Sequence, residues 1–176
     1  GLNLTTAVRD GILGHTGVHI PVTLEGQIIR IVDRIAYLCH DFDDAQRAGM
    51  LTAEELPFEV REHFGMTPSS MITAMVEDMV RESLDKPAIS MSSDVEMTMN
   101  LFRQFMFKNV YLAPALIPDR KKASHVVKNL FTHFMEHPDD MEGCESGKEF
   151  YSTLDVVDYV AGLTDQYAIK LFKQYL

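Results

Sequence analysis

Three carboxylates and a tyrosine recur at helical spacing between residues 33 and 44. Asp33, Tyr37, Asp41 and Asp44 are separated by four, four and three residues, so on an α-helix they share one stripe. Carboxylates this close repel each other, and the repulsion falls where a metal ion or a polar ligand lies over them. On spacing alone, a solvated acidic face is the simpler interpretation.

A second candidate pair is Arg103 and Tyr111, which lie eight residues apart on one predicted helix and therefore on one face. The residues around them are strongly apolar and aromatic. An arginine in such surroundings needs an anion, because an unpaired buried charge is costly. That anion is either a structural carboxylate, the simpler interpretation, or a ligand phosphate, which suits the bidentate guanidinium.

Other polar motifs indicate no further chemistry. His133 and His137 are four residues apart, but they fall at a predicted helix C-terminus, where the helix dipole favours cations. The sequence has no HExxH pair, phosphate-binding glycine loop, GxSxG elbow or dinucleotide fingerprint. Arg120, Lys121 and Lys122 form a small basic cluster at a helix start, for which surface charge is the simpler interpretation.

Composition limits the classes of partner. The 176 residues carry a formal net charge of −10, which disfavours nucleic acid or an anionic membrane as the main partner but allows a local basic pocket for a phosphorylated small molecule. The two cysteines, Cys39 and Cys144, exclude a disulfide scaffold. Because no segment resembles a signal peptide or a membrane span, we expect a cytoplasmic protein, and the first residue, Gly1, predicts a processed chain or a fragment.

Apolar residues recur at threes and fours along the chain, which predicts a single all-α region over residues 1–176. Threonines before several apolar runs are predicted N-caps, and Ser93 with Glu96 has the spacing of a capping box. The longest helix should bury Ile28, Ile31, Ile35, Leu38 and Phe42, and residues 139–150 should form an acidic, irregular loop. The predicted helices are 5–14, 24–48, 56–64, 69–85, 94–112, 118–137, 153–161 and 165–175.

Three blocks of sequence together resemble the bacterial dGTP triphosphohydrolases of the HD-domain superfamily. They are residues 23–45, 103–111 and 158–168, and the opening residues 2–5 and 9–13 also fit. The resemblance implies an all-helical, HD-domain-type bundle. It also implies hydrolysis of a deoxynucleoside triphosphate (dNTP) to a deoxynucleoside and inorganic triphosphate, at a divalent metal such as Mn, Mg or Fe held by an H…HD…D set.

The resemblance assigns substrate-binding roles residue by residue. Arg34 matches a basic position near the phosphates, and Arg103 matches an arginine that contacts them. Tyr37 matches a tyrosine of the substrate pocket, and Asp41 an aspartate that contacts the sugar 3′-hydroxyl. Tyr111 matches a tyrosine packed on the deoxyribose, which disfavours a 2′-hydroxyl. The stripe first interpreted as solvated then becomes a ligand-facing surface.

The resemblance also implies an incomplete metal site. Asp33 matches the last aspartate of the H…HD…D set, whereas the histidines, the His-Asp pair and the catalytic histidine should lie upstream of residue 1. His40 with Asp41 is part of the downstream block and is not that pair. We therefore expect no catalytic residue in this chain, which should be the C-terminal part of a longer enzyme and inactive alone.

The implied partners are a dNTP substrate, dNTP effectors, the N-terminal half of the same protein and further copies of it. Apolar surface left bare by a missing half would favour self-association. Three alternatives remain open. One is another HD-type phosphohydrolase, against which the block from Arg103 to Tyr111 argues. The second is a non-catalytic helical module that binds a nucleotide or a partner subunit. The third and simplest is a plain helical scaffold, which leaves the stripe of Asp33, Tyr37 and Asp41 unexplained.

Overall fold

The computed structural model describes residues 2–141 and 151–176, and every regular element in these ranges is helical. The predicted all-α fold class is therefore confirmed. The chain divides into two compact units, Gly1–Ala113 and Pro114–Leu176. The prediction of a single region stays a prediction. The predicted acidic loop is described only as far as Met141, where Pro138–Asp140 forms a 3-10 turn; its remainder, with Cys144, lies outside the described residues.

Five α-helices form the first unit. They are α1 (Thr6–Gly14), α2 (Leu24–Arg47), α3 (Phe58–Phe64), α4 (Pro68–Ser83) and α5 (Ser93–Met106), and α5 continues directly into a π-helical turn, Phe107–Tyr111. The described part of the second unit has three: α6 (Ile117–Glu136), α7 (Thr153–Ala161) and α8 (Asp165–Tyr175). Short 3-10 helices at Ala53–Glu55 and Pro114–Leu116 join neighbouring elements.

Four of the eight described α-helices start at threonine side-chain caps, as the sequence predicts. The threonine caps each accept a bond from a backbone N–H of the first turn, and they are Thr5, Thr23, Thr67 and Thr164. The predicted capping box at Ser93 is wrong, because Ser92 caps α5 through its Oγ. The backbone N–H of Ser92 also donates to Asp78 Oδ2 at 2.8 Å, and this tertiary bond fixes the start of the helix one residue earlier.

The core of the first unit is built on one face of α2. Ile35, Leu38 and Phe42 are buried, and the Phe42 ring meets Phe102 of α5 edge to face at 5.8 Å between centroids. Methionines of α4 and α5 fill the space between the aromatic side chains, and the buried ones are Met71, Met75, Met79, Met99 and Met106. Ile31 packs against this core while partly exposed.

Ile28 is not a core residue, contrary to the prediction, and 36% of it is exposed. Near its start, α2 meets α1 through glycines: a Cβ on Gly11 would lie 3.7 Å from the Cα of Gly26. Ile28 lies two positions after Gly26, about 200° around the helix. It therefore points away from the helix that covers this end of α2.

The second unit has its own core, in which Leu130 and Phe134 of α6 pack with Val156 of α7 and Leu171 of α8. His133 stacks on Tyr175 with ring centroids 4.6 Å apart and shares a hydrogen bond with Asp140 at 2.8 Å. These contacts support a structural role for His133. In the part of the chain that the structure describes, no helix has the length and apolarity needed to cross a membrane.

Candidate functional site

The two polar side chains brought closest together among the predicted site residues are Asp41 and Tyr111. The Tyr111 hydroxyl donates a hydrogen bond to Asp41 Oδ2 at 2.6 Å, although the residues are 70 positions apart in sequence. Asp41 extends from the second half of α2, and Tyr111 ends the π turn that follows α5. Both are partly exposed, so the contact forms at the surface of the first unit and can meet a ligand.

The π turn directs Tyr111 towards Asp41. The backbone N–H of Leu112 donates to the carbonyl of Phe107 at 2.9 Å, five residues earlier instead of four. The prediction of one continuous α-helix over 94–112, with Arg103 and Tyr111 related by α-helical geometry, is therefore wrong after Met106. The wider turn changes the direction of Tyr111, whose ring meets Phe107 edge to face at 5.0 Å. Single π turns inside α-helices occur often at functional sites.

Electrostatics connect three of the predicted site residues to Tyr111. Burial raises the pKa of the Tyr111 phenol, and its hydrogen bond to Asp41 together with the charge of that carboxylate raises the pKa further. Tyr37 contributes in the same direction, while the positive charge of Arg103 lowers the pKa. Tyr111 is therefore a neutral hydrogen-bond donor throughout the physiological pH range, and Tyr37, Asp41 and Arg103 lie within electrostatic reach of it.

Arg103 lies at the surface, which corrects the interpretation that its apolar neighbours bury it. Phe102 and Met106 point into the core, whereas Arg103 faces outward with its Cζ 4.8 Å from the centroid of the Phe107 ring. Within residues 2–141 and 151–176, no carboxylate lies within salt-bridge distance of it. The cation is held against an aromatic ring and is available to an anion from outside.

Arg34 lines a cavity of about 330 Å³ between α2 and the segment that leads into α5. Arg30 also lines this cavity, and it donates to the carbonyls of Gly14 and His19 at 2.6 and 2.9 Å. Its guanidinium is therefore used to bind the segment between α1 and α2. Arg34 has no salt bridge to any residue that the structure describes. Of the two arginines, it is the one free to bind a ligand.

The sequence prediction missed Glu96 of α5, which lines the same cavity. Glu96 lies seven residues before Arg103, so both side chains emerge on one face of α5. The seven-residue spacing is visible in the sequence, but Glu96 was predicted to form a capping box with Ser93 and was not grouped with Arg103.

Asp33 is exposed on α2, and among the described residues no hydrogen bond joins it to the pair formed by Asp41 and Tyr111. Among the described residues, no group of three or more histidine, cysteine, aspartate or glutamate side chains is placed to hold a metal ion. A divalent ion needs several such ligands, so these residues alone do not form the metal site that the resemblance implies. Asp33 can supply one ligand to such a site.

Comparison with known proteins supports the resemblance. A family model described as a phosphohydrolase-associated domain matches residues 89–174. A deoxyguanosinetriphosphate triphosphohydrolase-like protein of Caldanaerobacter subterraneus subsp. tengcongensis is 39% identical over 181 residues, which cover 99% of this chain and 52% of that protein.

Two further relatives carry the same name. That of Clostridium perfringens is 35% identical over 193 residues, covering 99% of this chain and 54% of the relative. That of Geobacter sulfurreducens is 26% identical over 229 residues, covering 99% of this chain and 58% of the relative. The chain thus spans about half the length of the curated relatives it matches. The resemblance drawn from its sequence blocks is confirmed along nearly all of the chain.

Proposed function

We propose that this chain, which is homologous over 99% of its length to the deoxyguanosinetriphosphate triphosphohydrolase-like proteins, forms the sugar- and phosphate-binding side of a dNTP triphosphohydrolase site. The reaction would release a deoxynucleoside and inorganic triphosphate. The observation that carries the proposal is the hydrogen bond between Tyr111 and Asp41, within electrostatic reach of Tyr37 and Arg103.

The pair of Asp41 and Tyr111 suits a deoxyribose. The Asp41 carboxylate has two oxygens with room for several donors, and Tyr111 occupies only Oδ2. In the proposal, the sugar 3′-hydroxyl donates to the same carboxylate, and the Tyr111 ring packs against the sugar where a 2′-hydroxyl would project. Tyr37, one turn before Asp41 on α2, would then lie between the sugar and the phosphates.

Two arginines would bind the triphosphate. Arg34 and Arg103 are both without a carboxylate partner among the described residues, and they come from α2 and α5 respectively. As the triphosphate departs, negative charge develops on it, and fixed cations stabilise that charge. The guanidinium can also bind phosphate oxygens in a bidentate manner, which orients the leaving group.

Metal dependence is part of the proposal, with the ligands divided. Asp33 would supply one carboxylate, and the remaining ligands and the catalytic base would come from residues outside this chain. The chain alone would then be inactive. We further propose that the rest of the polypeptide covers the apolar groove of about 560 Å³ between α1 and α2, where Val8, Ile12 and Ile29 are exposed. The complete enzyme would act in the cytoplasm as a homo-oligomer, and dNTPs would also serve it as effectors.

A second candidate is a non-catalytic module that binds a nucleotide. The observation that favours it is the lack of a metal-binding cluster in the described part of the chain. Another type of HD phosphohydrolase is less suitable, because a site for a monophosphate or a signalling nucleotide does not need both a pair of arginines for a triphosphate and a tyrosine packed against the 2′ position.

Nucleotide binding tests the proposed sugar site. The protein produced from the whole reading frame would be titrated with dGTP, with 2′,3′-dideoxy-GTP and with GTP, without divalent metal to prevent turnover. We expect dGTP to bind most tightly, and Asp41→Asn to reduce the preference for dGTP over the dideoxy compound about tenfold. Equal binding of all three nucleotides would contradict the proposed roles of Asp41 and Tyr111.

A further inference from the structure

One face of α6, in the second unit, carries an unusual concentration of positive charge. A shallow depression of about 490 Å³ runs along this face, and the residues that line it are Ile117, Arg120, Lys121, Ser124, His125 and Lys128. Successive members lie one or three positions apart, so their side chains share one side of the helix. Three fixed cations therefore meet on one surface of a chain whose net charge is −10.

These cations have no salt-bridge partner among the residues that the structure describes. Arg120, Lys121 and Lys128 take part in none of the salt bridges there, whereas the adjacent Lys122 pairs with Asp119 at 3.0 Å. Arg120 and Lys121 also lie in the first turns of α6, where the helix dipole is positive and opposes cations. Like charges on one helix face repel each other as well. An anion bound over the depression would relieve both repulsions.

His125 adds an oriented donor to the same surface. Its ring meets Phe172 of α8 edge to face at 5.6 Å, and the Asn129 side-chain amide donates to its Nδ1 at 3.1 Å. With Nδ1 accepting, the hydrogen of the neutral ring is assigned to Nε2, which is then a donor. The Ser124 hydroxyl, between His125 and Arg120 along the depression, is another available donor.

We propose that this α6 surface binds the oligophosphate chain of a small molecule, either inorganic triphosphate or the phosphates of a nucleoside triphosphate. From Arg120 to Lys128 the helix rises about 12 Å, a length suited to a few linked phosphates. A long nucleic acid is disfavoured, because the acidic remainder of the chain would repel the phosphates that extend beyond the surface. The inference does not depend on the proposed hydrolysis, since it involves α6 and the neighbouring Phe172 alone.

The test is calorimetric titration of the chain with inorganic triphosphate in metal-free buffer at low ionic strength. The variant is Lys121→Gln with Lys128→Gln. The matched control is Lys86→Gln with Lys122→Gln, which removes the same charge from two lysines that are already in salt bridges with Glu82 and Asp119. Arg103→Gln in parallel reports any triphosphate bound at the proposed active site.

We expect the Lys121 and Lys128 variant to bind triphosphate at the α6 surface at least tenfold more weakly than the wild type. The control variant and Arg103→Gln should bind triphosphate at the α6 surface as tightly as the wild type. Comparison of triphosphate with GTP then separates the two sources: equal affinity indicates recognition of the phosphates alone, and tighter GTP binding indicates a nucleotide. No triphosphate binding, or equal weakening in the control, would overturn the proposal. So would a single-stranded oligonucleotide that binds through Lys121 and Lys128 when triphosphate does not.

Discussion

The Tyr111 hydroxyl lies 2.6 Å from Asp41 Oδ2, and this hydrogen bond links the π turn after α5 to the second half of α2. A charged acceptor makes the bond stronger than one between neutral groups. It fixes the aromatic ring beside a carboxylate that still has accepting capacity. Two measurements therefore test this pair. Unfolding reports what the bond contributes to the stability of the fold, and nucleotide binding reports what Asp41 and Tyr111 contribute to a ligand.

The contribution of the bond between Tyr111 and Asp41 to stability should appear in a double-mutant cycle between Tyr111→Phe and Asp41→Asn. We expect a coupling free energy of about 1 kcal/mol from urea unfolding, because the pair is charge-assisted but only partly buried. Asp43→Asn provides the control, since Asp43 pairs with Arg47 one turn away. Its coupling to Tyr111→Phe should be close to zero. Equal coupling in both cycles would contradict a specific bond between Tyr111 and Asp41.

The sequence predicted the helices well because their signals are local. Threonine caps such as Thr23 and stops such as Gly49, which has a φ of +66°, act within one turn of the helix they bound. The errors at Ser93 and Ile28 have tertiary causes. The hydrogen bond that the Ser92 backbone N–H donates to Asp78 selects Ser92 as the cap, and close packing at Gly26 leaves Ile28 outside the core.

The candidate site was only partly predictable. Helical spacing is sufficient to group Tyr37 with Asp41 on α2, but spacing does not indicate which partner from elsewhere in the chain meets them. The π turn that directs Tyr111 has no compositional signal, because its i→i−5 bonds use the same residue types as an α-helix. The sequence did not predict the exposure of Arg103, because its neighbours along the chain are apolar. Those neighbours, such as Phe102, face the core on the other side of α5.

The ligand-facing role of Tyr111 predicts a change in sugar specificity. Tyr111→Ala removes the ring that would lie against the 2′ position. The affinity of the whole-reading-frame protein for GTP, relative to its affinity for dGTP, should therefore rise about tenfold or more. Tyr111→Phe keeps the ring and should retain most of the discrimination. A dGTP preference that survives in Tyr111→Ala would show that another group excludes the 2′-hydroxyl.

Arg103 should contribute to the binding of phosphates and contribute little to the free energy of unfolding. Because it is exposed and without a salt bridge among the described residues, Arg103→Gln should change the free energy of unfolding by no more than about 0.5 kcal/mol. The same variant should weaken dGTP binding about tenfold while leaving deoxyguanosine binding unchanged. Arg47→Gln, at the far end of α2, is the charge-matched control and should leave both ligands unaffected.

Stability at low pH should depend on Asp10. The Val22 backbone N–H donates to Asp10 Oδ2 at 2.8 Å, and this bond, followed by the contact with His19, lowers the pKa of the Asp10 carboxyl. A carboxylate with a lowered pKa stabilises the fold above its unfolded pKa of about 3.9, and this contribution is lost as pH falls through the folded pKa.

The stability difference between wild type and Asp10→Asn should therefore be constant above about pH 5 and disappear towards pH 2. Urea unfolding across this range measures it. A difference that stays constant to pH 2 would mean that ionisation of Asp10 does not contribute to stability.

The most direct test of the account is the release of inorganic triphosphate by the protein from the whole reading frame. Wild type and Asp33→Ala would each be supplied with Mn²⁺ and all four dNTPs, and folding of both would be verified by circular dichroism. We expect triphosphate from the wild type and none from Asp33→Ala. A folded, metal-loaded wild type that releases no triphosphate would contradict the proposed hydrolysis and favour a nucleotide-binding module. Equal release by Asp33→Ala would contradict the role of Asp33 as a metal ligand.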